Sequence, residues 1–217
     1  MALQLYAHPF SSYCQKVEIA LYECGIPFEL KMLGPETPEH FEAFARIWPL
    51  KRMPLLLDDG RPVMESSVII EHLALHHGAQ ALLPGDGAAA LDIRFMDRVF
   101  DNYVMTPMQR YVGDYLRPAE TRDPQTLTDS RALLDTAYVW LEERMQGREW
   151  TAGSFSMADC AAAPALFYAD WVHPIPEACP ATRAYRARLL ARPSVARAVD
   201  EARPYRPFFP PGAPDRD

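Results

Sequence analysis

Glycine is scarce in this chain, at 10 of 217 residues against an average of about 7%. That excludes a collagen-like repeat and argues against a flexible Gly/Ser linker protein. Basic residues do not predominate either. Lys and Arg number 22 against 29 Asp and Glu, a net charge of −7, so a general nucleic-acid binder, which needs a basic surface for phosphates, is not expected. Long apolar runs are missing too. The longest uncharged one, Cys160 to Ala169, is about half of the roughly 20 residues a membrane-spanning helix requires. The opening Met1-Ala2-Leu3-Gln4-Leu5-Tyr6 lacks a basic start and a long apolar stretch, so no secretory signal is expected. Four cysteines, Cys14, Cys24, Cys160 and Cys179, form no Cys-x-x-Cys pair and no zinc spacing. A reduced, cytoplasmic protein is the simplest reading. The histidines at 8, 40, 72, 76, 77 and 173 show no metal-ligand grouping; His76 and His77 are adjacent, hence on different helix faces, and no metal is expected.

What the chain has in excess is proline, 21 residues, close to twice the average of about 5%. With 49% hydrophobic and 11% aromatic residues, disorder throughout is excluded, so the prolines punctuate a folded chain. Leu3 to Ala7 reads as a strand ended by His8-Pro9, and Val17, Ala20, Leu21 and Cys24 then repeat at helical spacing up to Gly25. Phe28 to Met32 reads as a second strand. Thr37-Pro38 reads as a capping hydroxyl before a first-turn proline, opening a helix with Phe41, Phe44, Ala45 and Trp48 on its apolar face. Leu55-Leu56-Leu57, Asp59-Gly60 and Pro62-Val63-Met64 read as a hairpin, and Ser66-Ser67 opens a further helix. Beyond the linker turn Leu82-Leu83-Pro84-Gly85-Asp86-Gly87 only helical stretches follow, about Ala89 to Leu116, Pro124 to Gln146, Ser156 to Val172, and Pro180 to Ala202 with a break at Pro193. Kinks are expected at Pro107 and Pro164. The reading is an α/β domain over residues 1–78, a linker over 79–88, and an all-α domain over 89–217 that ends in a Pro-rich tail.

Three motifs in the first domain and one in the second carry chemistry. Ser11-Ser12-Tyr13-Cys14 stands between a strand and a helix N-terminus, where unpaired N–H groups and the dipole favour an anion such as a thiolate. Arg52-Met53-Pro54 leads into a strand, and X-Pro is the bond that adopts cis at modest cost. Glu65-Ser66 sets a carboxylate and a hydroxyl at another helix start. Ser156-Met157-Ala158-Asp159 has the spacing of a capping box, with Asp in place of Glu or Gln.

In this order, with the change of domain between them, these motifs resemble the cytosolic glutathione transferase family, and its serine-type bacterial members in particular. The resemblance covers nearly the whole chain. It implies a thioredoxin-like N-terminal domain, an all-α C-terminal domain, glutathione as co-substrate without a metal, and a homodimer. Ser11 matches the catalytic position. Ser12 beside it is implied to bind glutathione as well, Met53 matches the residue whose backbone pairs with the cysteinyl part of glutathione, and Pro54 matches the cis-proline. Glu65 and Ser66 match the pair that holds the γ-glutamyl end; Arg52 lies near the glycyl carboxylate. Trp48 stands where the family commonly has asparagine, and Lys51 where it has glycine.

The resemblance also implies that Tyr103, Met108, Tyr111 and Tyr115 line a pocket for a small hydrophobic electrophile. Ser156 and Asp159 are read as purely structural. Cys14 is read either as a thiol near the bound glutathione or as a buried small apolar residue. Tyr6 is a second candidate for the catalytic hydroxyl. The implied activity is glutathione S-transfer to an electrophile, with a detoxifying role. Two alternatives stand beside it: a binding or scaffold protein that keeps the fold without turnover, and a glutathione-dependent isomerase of the zeta type, against which Tyr13 stands where that class has cysteine. The tail's aromatics are expected to pack back on the helices near the pocket mouth.

Overall fold

The computed structural model describes residues 3–85 and 87–217; Met1 and Ala2 of the chain start and Asp86 of the linker turn lie outside the described residues. The first part follows the expected order: β1 (Leu3–Ala7), α1 (Ser12–Glu23), β2 (Glu29–Met32), α2 (Pro38–Ile47), β3 (Leu55–Asp58), β4 (Arg61–Met64) and α3 (Ser66–His76). The four strands form one sheet in the order β2-β1-β3-β4, with β1 and β2 parallel and the other pairs antiparallel. The hairpin turn is made by Asp59 and Gly60, both at positive φ, which matches the twist of the strands it joins.

Side-chain alternation sorts the two faces. Leu3, Leu5, Ala7, Leu56 and Val63 enter the main core with Val17 and Leu21 of α1 and Ile69, Ile70 and Leu73 of α3. Tyr6 and Leu55 face the other way and make a small second core with Leu33 and Phe44. Of the apolar face expected on α2 only Phe44 is fully buried, while Phe41 is 43% exposed. Thr37 precedes this helix as expected but does not cap it; its hydroxyl donates instead to the Met32 carbonyl, 2.6 Å away.

Beyond the linker every regular element is helical: α4 (Gly87–Val99), a π-helix (Phe100–Met105), α5 (Thr106–Tyr115), α6 (Pro124–Met145), α7 (Met157–Val172), α8 (Pro180–Leu190) and α9 (Pro193–Ala202), with short 3-10 turns at Ala119–Thr121 and Arg203–Phe208. Prolines 38, 124, 180 and 193 each sit in the first turn of a helix, where the missing N–H has no intrahelical partner to lose. The break expected at Pro107 takes the form of the π-helix just before it. At Pro164 the helix runs on for eight more residues.

Every residue of α7 is buried, and its alanines let α1 and the π-helix approach closely. The capping box at its start is present. Asp159 Oδ2 accepts from the Ser156 N–H (2.9 Å) and hydroxyl (3.0 Å), and its other oxygen accepts from Tyr185 (2.6 Å). No helix among the described residues is long and apolar enough to cross a membrane.

Candidate functional site

The loop that carries Ser11 is fixed from below. Gln15, 1% exposed, donates to the Pro9 carbonyl (2.9 Å) and to Tyr168 Oη (3.1 Å), and Tyr168 donates to the Phe10 carbonyl (3.2 Å). The Ser11 N–H donates to the His8 carbonyl (2.9 Å). Ser11 is the N-cap residue of α1; its side chain makes no capping hydrogen bond and instead meets the Cys14 thiol.

Two depressions meet at this residue. The larger, about 780 Å³, is polar. Ser11 and Tyr13 form one wall; Arg52, Met53 and Pro54 enter from the loop before β3; Glu65 and Ser66 stand at the start of α3; Arg98, Asp101 and Gln109 close it from the helical side. The N-terminal ends of α1 and α3 both open onto it, two sources of unpaired N–H groups and positive dipole. The Met53–Pro54 bond is cis, as the sequence suggested. Lys51 has φ 53°, the left-handed conformation that glycine adopts without steric cost. Glu65 has φ 69°, uncommon for a residue with a side chain and typical of functional loops.

Beneath this cleft lies an ion cluster that joins the two halves of the chain. Lys16, 1% exposed, pairs with Asp97 Oδ1 (2.6 Å) and donates to Asp101 Oδ2 (2.8 Å) and Ser67 Oγ (2.8 Å). Arg98 reaches the same three residues from the solvent side, with 2.6 Å to Asp101 Oδ2. Burial pushes the Asp101 carboxyl up, and Lys16 draws it back only in part. The Tyr13 phenol, raised first by burial and then by the charge of Asp101, reaches about 12 and so remains a donor at neutral pH.

The smaller depression, about 280 Å³, is apolar. Phe10, Ser11 and Ser12 form its floor; Met108, Val112 and Leu116 of α5 form one wall; Phe208, Phe209 and Pro210 of the tail form the other. Ser12 belongs here and not in the polar cleft, and its hydroxyl accepts from Gln109 Nε2 at 3.2 Å. The tail therefore packs where its aromatics suggested. Phe209 lies among Phe10, Tyr168 and Trp171, and Arg216 pairs with Asp170.

The four residues expected to line one pocket do not share one. Of Tyr103, Met108, Tyr111 and Tyr115 only Met108 lines the apolar depression. Tyr103 is 60% exposed and borders a separate surface groove with Phe95 and Trp140. Tyr111 is buried against α6, accepts a hydrogen bond from Arg131 (2.9 Å) and stacks on Tyr115. Tyr103 lies within the π-helix, and on α5 Met108 turns to the depression while Tyr111 turns to α6. Tyr6 is also excluded as a donor, because it is packed in the second core beside Phe44.

Cys14 is wholly buried. Burial first, then the charge of Glu18, pushes its thiol up to about 12, against a hydrogen bond with Ser11. It behaves as a protonated, inert thiol.

No spacing in the sequence groups the histidines, but the fold brings Asp58, at the end of β3, together with His72 and His77 near the end of α3.

Comparisons with known proteins follow the same division. Residues 5–81 match the family model described as glutathione S-transferase, N-terminal domain, and residues 124–188 the one described as glutathione S-transferase, C-terminal domain. Glutathione S-transferase theta-1 of the mouse is 28% identical over 196 residues, 83% of this chain and 76% of that protein. Among solved structures, a glutathione S-transferase of Methylobacterium radiotolerans in complex with glutathione sulfonate superposes with a TM-score of 0.78 at 29% identity, over 92% of this chain and 95% of that one. A second, from Methylobacillus flagellatus with glutathione bound, has a TM-score of 0.80 at 23% identity over 91% and 98%, a likeness of fold.

Proposed function

The chain belongs to the glutathione S-transferase family, and from that premise we propose that it binds glutathione in the polar cleft and activates its thiol for attack on a small hydrophobic electrophile held in the apolar depression. The observation that carries this reading is the place of Ser11, which borders both depressions. A sulfur beside Ser11 would sit at the joint between a site for a polar tripeptide and a site for an apolar partner.

The chemistry of the cleft fits the tripeptide. Glutathione brings one ammonium and two carboxylates. Glu65 suits the ammonium, while the Ser66 hydroxyl and the N–H groups at the start of α3 suit the neighbouring carboxylate. Arg52 suits the glycyl carboxylate, and the Met53 backbone suits the cysteinyl amide. Ser11 would donate to the sulfur and favour the thiolate, helped by the positive end of α1. A charge-assisted hydrogen bond is worth roughly 1.5–3 kcal/mol, or about one to two pKa units.

The four cysteines are unpaired, which supports a reducing, cytoplasmic setting. A homodimer, with the first domain of one subunit against the helices of the other, is supported by exposed Phe41 and Leu50 on the first domain and by the open groove of Phe95, Tyr103 and Trp140 on the second.

The test is a titration of bound glutathione by thiolate absorbance in the wild type and in Ser11→Ala. The sulfur pKa should rise by about one to two units in the variant, with a parallel fall in turnover of an aryl halide. Equal sulfur pKa values would remove Ser11 from the mechanism. Failure of the wild type to bind glutathione at millimolar concentration would favour the scaffold alternative.

A further inference from the structure

At the far end of the elements that begin at the cleft, the fold assembles a second polar centre. β3 starts beside Pro54 and ends at Asp58; α3 starts at Ser66 and ends at His76, with His77 as its C-cap residue. His72 Nε2 lies 2.8 Å and His77 Nε2 2.7 Å from the same oxygen, Asp58 Oδ2. The candidate donor atoms of the three residues all lie within 4.8 Å of one another. The three side chains are only 10–14% exposed. The His76 ring packs at a tilt against that of His72, with centroids 4.7 Å apart.

We propose that Asp58, His72 and His77 form a binding site for one divalent metal ion of the zinc type (Zn²⁺, Co²⁺ or Ni²⁺), completed by water or by His76. The donor set is two imidazoles and a carboxylate, which suits these ions and not Mg²⁺ or Ca²⁺. The spacing is close to what they need. Tetrahedral ligands at about 2.0–2.1 Å from the ion stand about 3.3 Å from one another, so each Asp–His pair has to open by only about half an ångström.

The second observation is an unspent acceptor. Asp58 Oδ1 is buried and has no hydrogen-bond partner among the described residues, a cost that coordination would relieve. Electrostatics agree. The site lies at the C-terminal end of α3, where the helix dipole favours a cation.

At about 3.3 Å per strand residue and 1.5 Å per helix residue, Asp58 lies roughly 13 Å from the cleft along β3, and His72 and His77 roughly 9 and 16 Å along α3. The ion would therefore act as a clamp between β3 and α3 and not as a reactant with glutathione, and the proposal stands independently of the cleft chemistry. Coordination through Nε2 needs both rings neutral with the proton on Nδ1.

The experiment is a titration of the chelator-treated full chain with Co²⁺ alone, followed by Zn²⁺. One equivalent of Co²⁺ should produce the visible bands of a four-coordinate ion, Zn²⁺ should displace it, and the melting temperature should rise with one equivalent of either. His77→Gln and Asp58→Asn, each checked for a native circular dichroism spectrum, should weaken binding by at least about tenfold. His173→Gln, at a histidine paired elsewhere with Asp135, should leave it unchanged. No saturable equivalent below about 1 mM, or wild-type affinity in both Asp58 and His77 variants, overturns the proposal.

Discussion

Glu18 sets the pH response of the first helix. It lies buried between α1 and α9 with Oε2 unpartnered, and its carboxyl is pushed up to about 8 by burial and then by the charge of Glu201, against Arg197. A carboxyl raised on folding is protonated in the native state while the unfolded chain is already ionised. Its contribution is present below about 4.5 and is lost as pH rises through about 8, at up to about 1.4 kcal/mol per unit. Urea unfolding at about pH 5 and about pH 8 should show this loss in the wild type and its absence in Glu18→Gln. Equal slopes in the two proteins would remove Glu18 as the source. The cysteines give a second check at this scale. In the native protein Cys24, half-buried, should react with an aromatic disulfide reagent, while Cys14 and Cys160, both wholly buried with thiols raised by burial, should react only on unfolding. Mass mapping of the labelled sites decides it, and native labelling of Cys14 would restore it as a thiol of the site.

Among the elements, α7 depends most on its first turn. Replacing Ser156 by Ala removes one partner of Asp159 and should cost about 1 kcal/mol. Asp159→Ala strands the Tyr185 hydroxyl and the Ser156 N–H in the interior and should cost about 3 kcal/mol or more. Denaturation midpoints of the two variants test the ranking; equal losses would show that Asp159 does no more than cap. This box was legible in the sequence because both partners lie within one turn. The same holds for the prolines that open α2, α6, α8 and α9 and for the Asp59-Gly60 hairpin. Local signals name local structure. What was not legible depends on contacts across the chain. Lys16 meets Asp101 over a separation of 85 residues and Ser67 over 51, and Asp58 meets His72 and His77 over 14 and 19. No spacing rule reaches that far. The grouping of Tyr103, Met108, Tyr111 and Tyr115 was implied by resemblance alone, and no local signal tells which of them turns to α6 and which to the tail. Ser11, Pro54, Glu65 and Ser66 were found together because each stands at an element boundary that its own neighbours mark.

For the molecule as a whole, the tail is a structural wall. Phe209 is 6% exposed, Tyr205 meets the His8 ring at 4.5 Å, and Arg206 lies over Trp171. Truncation after Ala202 exposes this surface. Burial of Phe209 alone is worth about 2 kcal/mol, so the melting temperature should fall by about 5 °C or more. Affinity for apolar ligands should fall while retention on immobilised glutathione persists. Unchanged melting and ligand binding would show the segment to be a loose end. The position of this wall also fixes an order of events during synthesis. The α/β layer and α3 are complete once residue 76 has emerged from the ribosome, and N-terminal units fold first. The apolar depression still lacks a side until residues 208–210 follow. The floor that bears Ser11 waits for Tyr168 to set its loop, and the wall opposite α5 is added last, so only the finished fold presents both.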